Sequence, residues 1–448
     1  MTFLIQALDL IAIRFALYIM GYWNERSSVT MKKIILLSTI LMSSSVAFAA
    51  GYQLQEYTVT GLGRSMAGAG IMGDDYSAPA FNPAGMGFSK KSGAQLGFIG
   101  VDLRGPVKGK ASGPWGSREG RDHAHIFRLL PHLFGQWKVN DKASLGIGLY
   151  TPFGLASDYR NNWFGTAQGQ YSGITLVDLT PAISYKLTDS LTLGAGLNLQ
   201  YAAAHLTGGT VDGGYTNMKH ATDMNAGYTV GLTFQPWEST RLGVSYRSKV
   251  HHKLHGKNKG RAGSMPMMGS GLIAGTHKVQ ADITTPETVI FSIAQDLGQK
   301  WTLSGTARWT KWSRFKDLDI YQDNVTRITG APLSHTHENW KNTWFYAVGA
   351  DYKYCKNLTL RFGTAYDETA IKNSTDRTVR IPDERRIWAS IGATYKKNNW
   401  QVDIGYAHLF VRRAHARATT GTGLGAVTSD MSFHAQSDIL GLQFQYKF

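Results

Sequence analysis

Long apolar runs are missing from all but the first fifty of the 448 residues. A bundle of membrane-spanning helices needs roughly 20 consecutive apolar residues per span and is excluded. The chain has one cysteine, Cys355, so it has no intramolecular disulfide and no cysteine-built zinc cluster. Charge is sparse, at 17% against roughly 25% in soluble domains, and acids are outnumbered by bases, 31 to 47. The fourteen histidines show no metal-ligand spacing. Nor does any motif gather serine, histidine and acid into a catalytic group. No metal, no cofactor and no enzymatic activity are therefore expected. Glycine is plentiful, with 50 residues, and 43% of the chain is apolar, which argues against disorder.

The first fifty residues read as export apparatus. Met31-Lys32-Lys33 precedes an apolar stretch, Ile34 to Met42, and Ala47-Phe48-Ala49 completes the pattern of a secretory signal peptide. Residues 31–49 are assigned to that signal. Residues 1–30 carry Asp9 and Arg14 within their apolar part and are read as an upstream extension, with Met31 rather than Met1 as the start. Export leaves no place for a nucleic-acid partner.

Beyond the signal the periodicity is two. Leu191, Leu193, Ala195, Leu197, Leu199 and Tyr201 alternate with small or polar residues, and Leu440 to Phe448 repeats the pattern. Fourteen such segments lie between 92 and 448. Short connectors such as 188–189 and 397–398 alternate with long ones at 105–122, 156–170, 207–221, 256–275, 319–339, 371–384 and 414–430. That punctuation fits an all-β fold: a 14-stranded antiparallel transmembrane β-barrel in a bacterial outer membrane. Closure removes the sheet edges that lipid cannot solvate. Trp137, Trp237, Trp301, Trp340 and Trp400, near strand ends, are expected in interfacial girdles. The terminal Phe448 suits recognition by barrel-assembly machinery. The excess of cations suits lipopolysaccharide phosphates.

Residues 50–91 do not alternate. Their glycines call for tight turns, and their apolar side chains are too many for a free tail. The economical reading is an N-terminal hatch, or plug, inside a barrel of residues 92–448. Ala50-Gly51-Tyr52-Gln53-Leu54, Gly61-Leu62-Gly63-Arg64, Asp74-Asp75 and Asn82-Pro83-Ala84 resemble, in order, the hatch of the FadL family. Ile381-Pro382-Asp383-Glu384-Arg385-Arg386-Ile387-Trp388 resembles the family's motif entering a late strand. Ala69 departs from the glutamate that members often carry there. The resemblance implies a fourteen-stranded barrel with a hatch, importing long-chain fatty acids or other hydrophobic molecules by passive diffusion.

Site residues follow from strand phase and from that resemblance. Alternation turns Arg128, Arg247, Arg308, Arg361 and Arg386 toward the lumen, where arginine suits a fatty-acid carboxylate. Arg308, Arg361 and Arg386 are favoured as head-group ligands. Pairing with the hatch acids Glu56, Asp74 and Asp75 is the competing reading. Met265, Met267, Met268, Leu272 and Ile273 lie in a long loop, and the resemblance implies that they form an outer groove where substrate lands. It also implies a break in the third strand opening the wall sideways, with Pro152 and Gly154 as the candidates. A monomer is expected. An importer of aromatic hydrocarbons and a surface adhesin remain as alternatives.

Overall fold

A computed structural model describes residues 51–113, 116–209, 213–264, 273–417, 419–420 and 426–448. The expectations for residues 1–49, Ala50, Met265, Met267, Met268 and Leu272 lie outside the described residues.

Alternation becomes sheet throughout. The strands are β1 (Gly93–Gly113), β2 (Gly116–Lys138), β3 (Ala143–Asp158), β4 (Tyr171–Lys186), β5 (Leu191–Gly209) and β6 (Tyr215–Trp237). Next come β7 (Thr240–Arg247, then Val250–Gly260), β8 (Gly275–Thr285, then Thr288–Leu297), β9 (Trp301–Thr310) and β10 (Thr343–Lys353). The last are β11 (Leu358–Asp367), β12 (Arg386–Lys397), β13 (Trp400–Val411) and β14 (Val427–Phe433, then Gln436–Lys447). Neighbours in sequence pair antiparallel, and β14 returns to β1 from Gly93↔Lys447 to Arg104↔Gln436, closing a barrel of fourteen strands.

The two faces of the wall are inverted relative to a soluble protein. Phe98, Leu129, Ile183, Leu197, Ile293, Val348, Ile391, Ile404 and Leu442 are exposed on the outside. Gln95, Ser184, Asn198, Thr229, Thr306, Asp351, Thr394, Asp403 and Gln443 are buried within. An apolar exterior and polar interior are what a lipid-embedded barrel requires. Among the described residues no helix is long and apolar enough to cross a membrane.

At the short-turn end, Trp301 packs at a tilt against Tyr352 with ring centroids 4.5 Å apart, and Trp400 against Tyr446 at 4.6 Å. Trp340 does not join this girdle. It is 1% exposed and packs against Tyr52, Trp312 and Phe315.

Two of the expected long loops are largely strand. Residues 105–113 and 116–122 continue the β1–β2 ladder to Gly113↔Gly116. The β5–β6 ladder likewise runs on to Gly209↔Tyr215. Lys108 and Lys110 point outward there while Val107 and Ala111 are buried, so these hairpins stand above the lipid with a polar outer face. Between β9 and β10, two short strands (Asp317–Gln322 and Ser334–His337) pair as an extension on the same side.

Candidate functional site

Residues 51–91 are almost wholly buried and touch the inner face of strands around the wall. Two four-residue helical turns, Val59–Leu62 and Ala78–Phe81, and a 3₁₀ stretch, Pro83–Phe88, are joined by tight turns. Asn82 explains its own position. Its side-chain oxygen accepts from the Ala84 amide at 3.1 Å, and its amide donates to the Leu232 carbonyl on β6 at 3.1 Å. Close approach needs wall residues without side chains. A Cβ on Gly363 would sit 2.2 Å from the Arg64 carbonyl carbon, and one on Gly194 2.2 Å from the Ala84 nitrogen.

Charge fastens the middle of this segment. Arg64 lies 2.9 Å from both Asp74 and Asp351 on β10, and Arg361 on β11 lies 2.9 Å from Asp74 and 3.2 Å from Asp351. Buried ions need such pairing, because an unpaired one bears the whole desolvation cost. Asp75 accepts from the hydroxyls of Thr58 and Thr60.

The luminal arginines therefore divide. Arg361 is neutralised by Asp74 and Asp351. Arg386 lies 3.0 Å from Asp367 and 3.5 Å from Asp383, and Arg247 2.5 Å from Asp178 with 3.0 Å to the Tyr150 hydroxyl. Arg308 is different. It is 1% exposed, hydrogen-bonds the Gln55 side chain and lies 5.8 Å and 5.9 Å from the rings of Phe81 and Phe345. No carboxylate stands within 4 Å of it among the described residues. Arg128 is half-buried on β2, its guanidinium donating to the Phe127 carbonyl at 2.8 Å.

Above this packing lies a narrow apolar chamber, partly open to solvent. Leu155, Ile174, Leu254, Ile283 and Phe315 line its walls, and Tyr52 from the N-terminal segment reaches into it. Two charged residues face it, both from extracellular connections. Arg380 sits between β11 and β12 and donates to Ser172 Oγ at 2.8 Å and to the carbonyls of Thr207 and Tyr171 at 3.2 and 3.3 Å. Neutral oxygens satisfy its donors without cancelling its charge, and no carboxylate lies within 4 Å among the described residues. Burial pulls its pKa down to about 10, which leaves it cationic at neutral pH. Glu338 precedes β10, and its carboxyl accepts from the Trp340 indole at 2.9 Å. Burial pushes it up to about 8, so it is mostly neutral at pH 7. The chamber is thus apolar with one uncompensated cation, a fit for an amphiphile with a single negative head.

The start of the N-terminal segment lies beneath. Gly51 has φ +62°, and a Cβ there would lie 2.3 Å from the Trp340 ring. Its amide donates to Asp383 at 3.2 Å. Tyr52 packs on Phe153, Trp312, Phe315 and Trp340. At the same height the wall is discontinuous. The β2–β3 ladder stops at Leu133↔Leu149, and the β3–β4 ladder slips register between Tyr150 and Phe153, around Pro152. The freed edge of β3 takes the N-terminal segment instead. The Leu54 amide donates to the Pro152 carbonyl at 2.9 Å, and the Gly154 amide to the Tyr52 carbonyl at 2.7 Å. Of the expected outer groove, Ile273 alone is described, and it is buried.

Sequence reasoning missed Arg380, Glu338 and Trp312. Arg380 stands one place before Ile381-Pro382-Asp383, so its position beside that motif was the available signal. For Trp312 and Glu338 the sequence offers none.

An outer-membrane barrel packed near its short-turn end, with an apolar chamber above, defines a transporter of hydrophobic compounds. The chain belongs to the family described as outer membrane protein transport protein (OMPP1/FadL/TodX), whose model matches residues 40–448. It is 27% identical to outer membrane protein P1 of Haemophilus influenzae, covering 92% of this chain and 98% of that one. It is 25% identical to a long-chain fatty acid transport protein of Escherichia coli O6:H1, covering 93% and 98%. A solved Pseudomonas aeruginosa FadL homologue superposes with a TM-score of 0.80 at 25% identity, covering 89% of this chain and all of that one.

Proposed function

We propose that the protein imports long-chain fatty acids passively, with Arg380 holding the carboxylate and the apolar chamber holding the tail. The observation that carries this is the half-buried Arg380, a cation without a carboxylate partner among the described residues, facing an apolar space. Arg308, deeper in the lumen and equally without an acid, would receive the head group next. Arg361, Arg386 and Arg247 keep the wall and the N-terminal segment together, and Arg128 lies on the strand beside the break. Residues 50–91 act as the hatch. Movement of residues 51–54 would free the edge of β3 and open the wall at Pro152 and Gly154 toward the membrane. Met265, Met267, Met268, Leu272 and Ile273 remain the proposed landing site. The chain works as a monomer and not as an enzyme, exported by the signal at 31–49 and inserted by the assembly machinery.

An apolar chamber would also accept an uncharged aromatic, and import of aromatic hydrocarbons is the second reading. The test is uptake of labelled oleate and toluene in cells lacking their own transporter and expressing residues 31–448. Oleate entry is expected. Toluene entry alone would overturn the carboxylate reading. Entry of neither, from a correctly folded surface barrel, would overturn the transport reading for this chain.

A further inference from the structure

Outside the barrel, on the extracellular flank of β11 to β13, lies an open recess. Arg385, Arg412, Arg413, Lys341 and Lys372 line it, with Arg377 behind. Its two acids are already engaged. Glu384 lies 3.1 Å from Arg377, and Glu368 accepts from the Trp344 amide at 2.9 Å. Arg385, Arg412, Arg413 and Lys341 have no ion-pair partner among the described residues.

The ladder makes this more than a solvated face. The Arg412 amide donates to the Arg385 carbonyl at 3.1 Å, one step beyond the Arg386↔Val411 pair. Arg385 and Arg412 are therefore directly opposed, both exposed and both facing outward. Like charges so placed repel unless an anion lies between them. One outward step below stands the pair Ile387↔Phe410, exposed by 52% and 57%, with Tyr366 opposite Ile387 at 39%. Apolar surface of this kind on a barrel faces acyl chains. Elsewhere on the wall, Arg104 and His125 stand at a similar height, but Asp102 lies 2.5 and 2.8 Å from them and compensates their charge.

We propose that the recess binds the phosphorylated sugar head group of an outer-leaflet glycolipid, the chemistry of lipid A. Arg385 and Arg412 clamp one phosphate, which matches guanidinium geometry. The acyl chains lie down the wall over Ile387, Phe410 and Tyr366. A basic recess at head-group level beside an apolar belt recognises that combination and not a soluble anion.

The test uses purified barrel in detergent and measures binding of bisphosphorylated lipid A, its dephosphorylated form, phosphatidylglycerol and inorganic phosphate. The bisphosphorylated glycolipid is expected to bind at least about tenfold tighter than the others, more weakly as salt rises. Arg385→Gln with Arg412→Gln is expected to remove that preference. Heat-modifiable migration on a gel checks that the double variant is folded, and the wild-type ligand series decides the matter without it. Equal binding of the dephosphorylated lipid would overturn the proposal. So would equal binding of inorganic phosphate or phosphatidylglycerol, or a folded double variant with unchanged preference.

Discussion

Leu54 and Pro152 share a hydrogen bond of 2.9 Å, amide to carbonyl, between the N-terminal segment and the irregular part of β3. The piece proposed to move and the piece of wall proposed to open are thus one hydrogen-bonded unit. Motion of either must break the same bonds.

That coupling predicts the effect of a tether. Gln53 and Phe153 form an isolated antiparallel bridge, so cysteines at both positions are placed for a disulfide. With Cys355 replaced by serine, oxidation of Gln53→Cys/Phe153→Cys should reduce oleate uptake to background, and reduction should restore it. Undiminished uptake by the oxidised protein would sink the gating idea.

Arg380→Gln should weaken oleate binding by about ten- to a hundredfold, the worth of a charge-assisted pair. Toluene entry should not change, because no charge is involved. Ligand titration of the folded variant checks both. An unaltered oleate affinity would remove Arg380 from the site.

Glu338 supplies a pH dependence. Its pKa of about 8 in the folded chain lies above the ordinary 4.5, so the folded form binds the proton more tightly. Its contribution to stability is complete below about 4.5 and is lost as pH rises through about 8. Thermal unfolding across that window should fall less steeply in Glu338→Gln. Above pH 8 the ionised carboxylate would also compete for Arg380, so oleate binding should weaken in the wild type and hold in the variant. Identical profiles for the two proteins would refute the assignment.

Asp74→Asn removes the acid shared by Arg64 and Arg361. Breaking a buried pair costs about 3–5 kcal/mol, and here the loss should appear as a loosened N-terminal segment. Limited proteolysis near residues 64–75 should speed up while the barrel stays intact. Equal cleavage rates would mean that the glycine contacts alone hold the segment.

The barrel was legible because period two survives in lipid with its faces reversed, as Leu440 to Phe448 illustrate. The extracellular hairpins were not, because the outward apolar residues that mark a strand give way to Pro106, Lys108 and Lys110 above the lipid. Luminal direction was readable for Arg361, but its partnership was not, since Asp74 lies 287 residues away in sequence. Trp340 read as a girdle residue because strand ends look alike from both sides of the wall. Arg380 escaped because a loop has no phase from which to infer where a side chain points.

The glycines of the wall have a consequence for assembly. At Gly194 and Gly363 the barrel has no side chains of its own with which to fill its bore, and the N-terminal segment fills it instead. An empty barrel would leave those stretches of backbone to water alone, so wall and filling are shaped to each other. Ejection of residues 58–88 would break these contacts together with the ion pairs from Arg64 and Arg361 to Asp74. The proposed travel is left to the short strip ahead of them, a latch tongue on a door that is itself part of the frame.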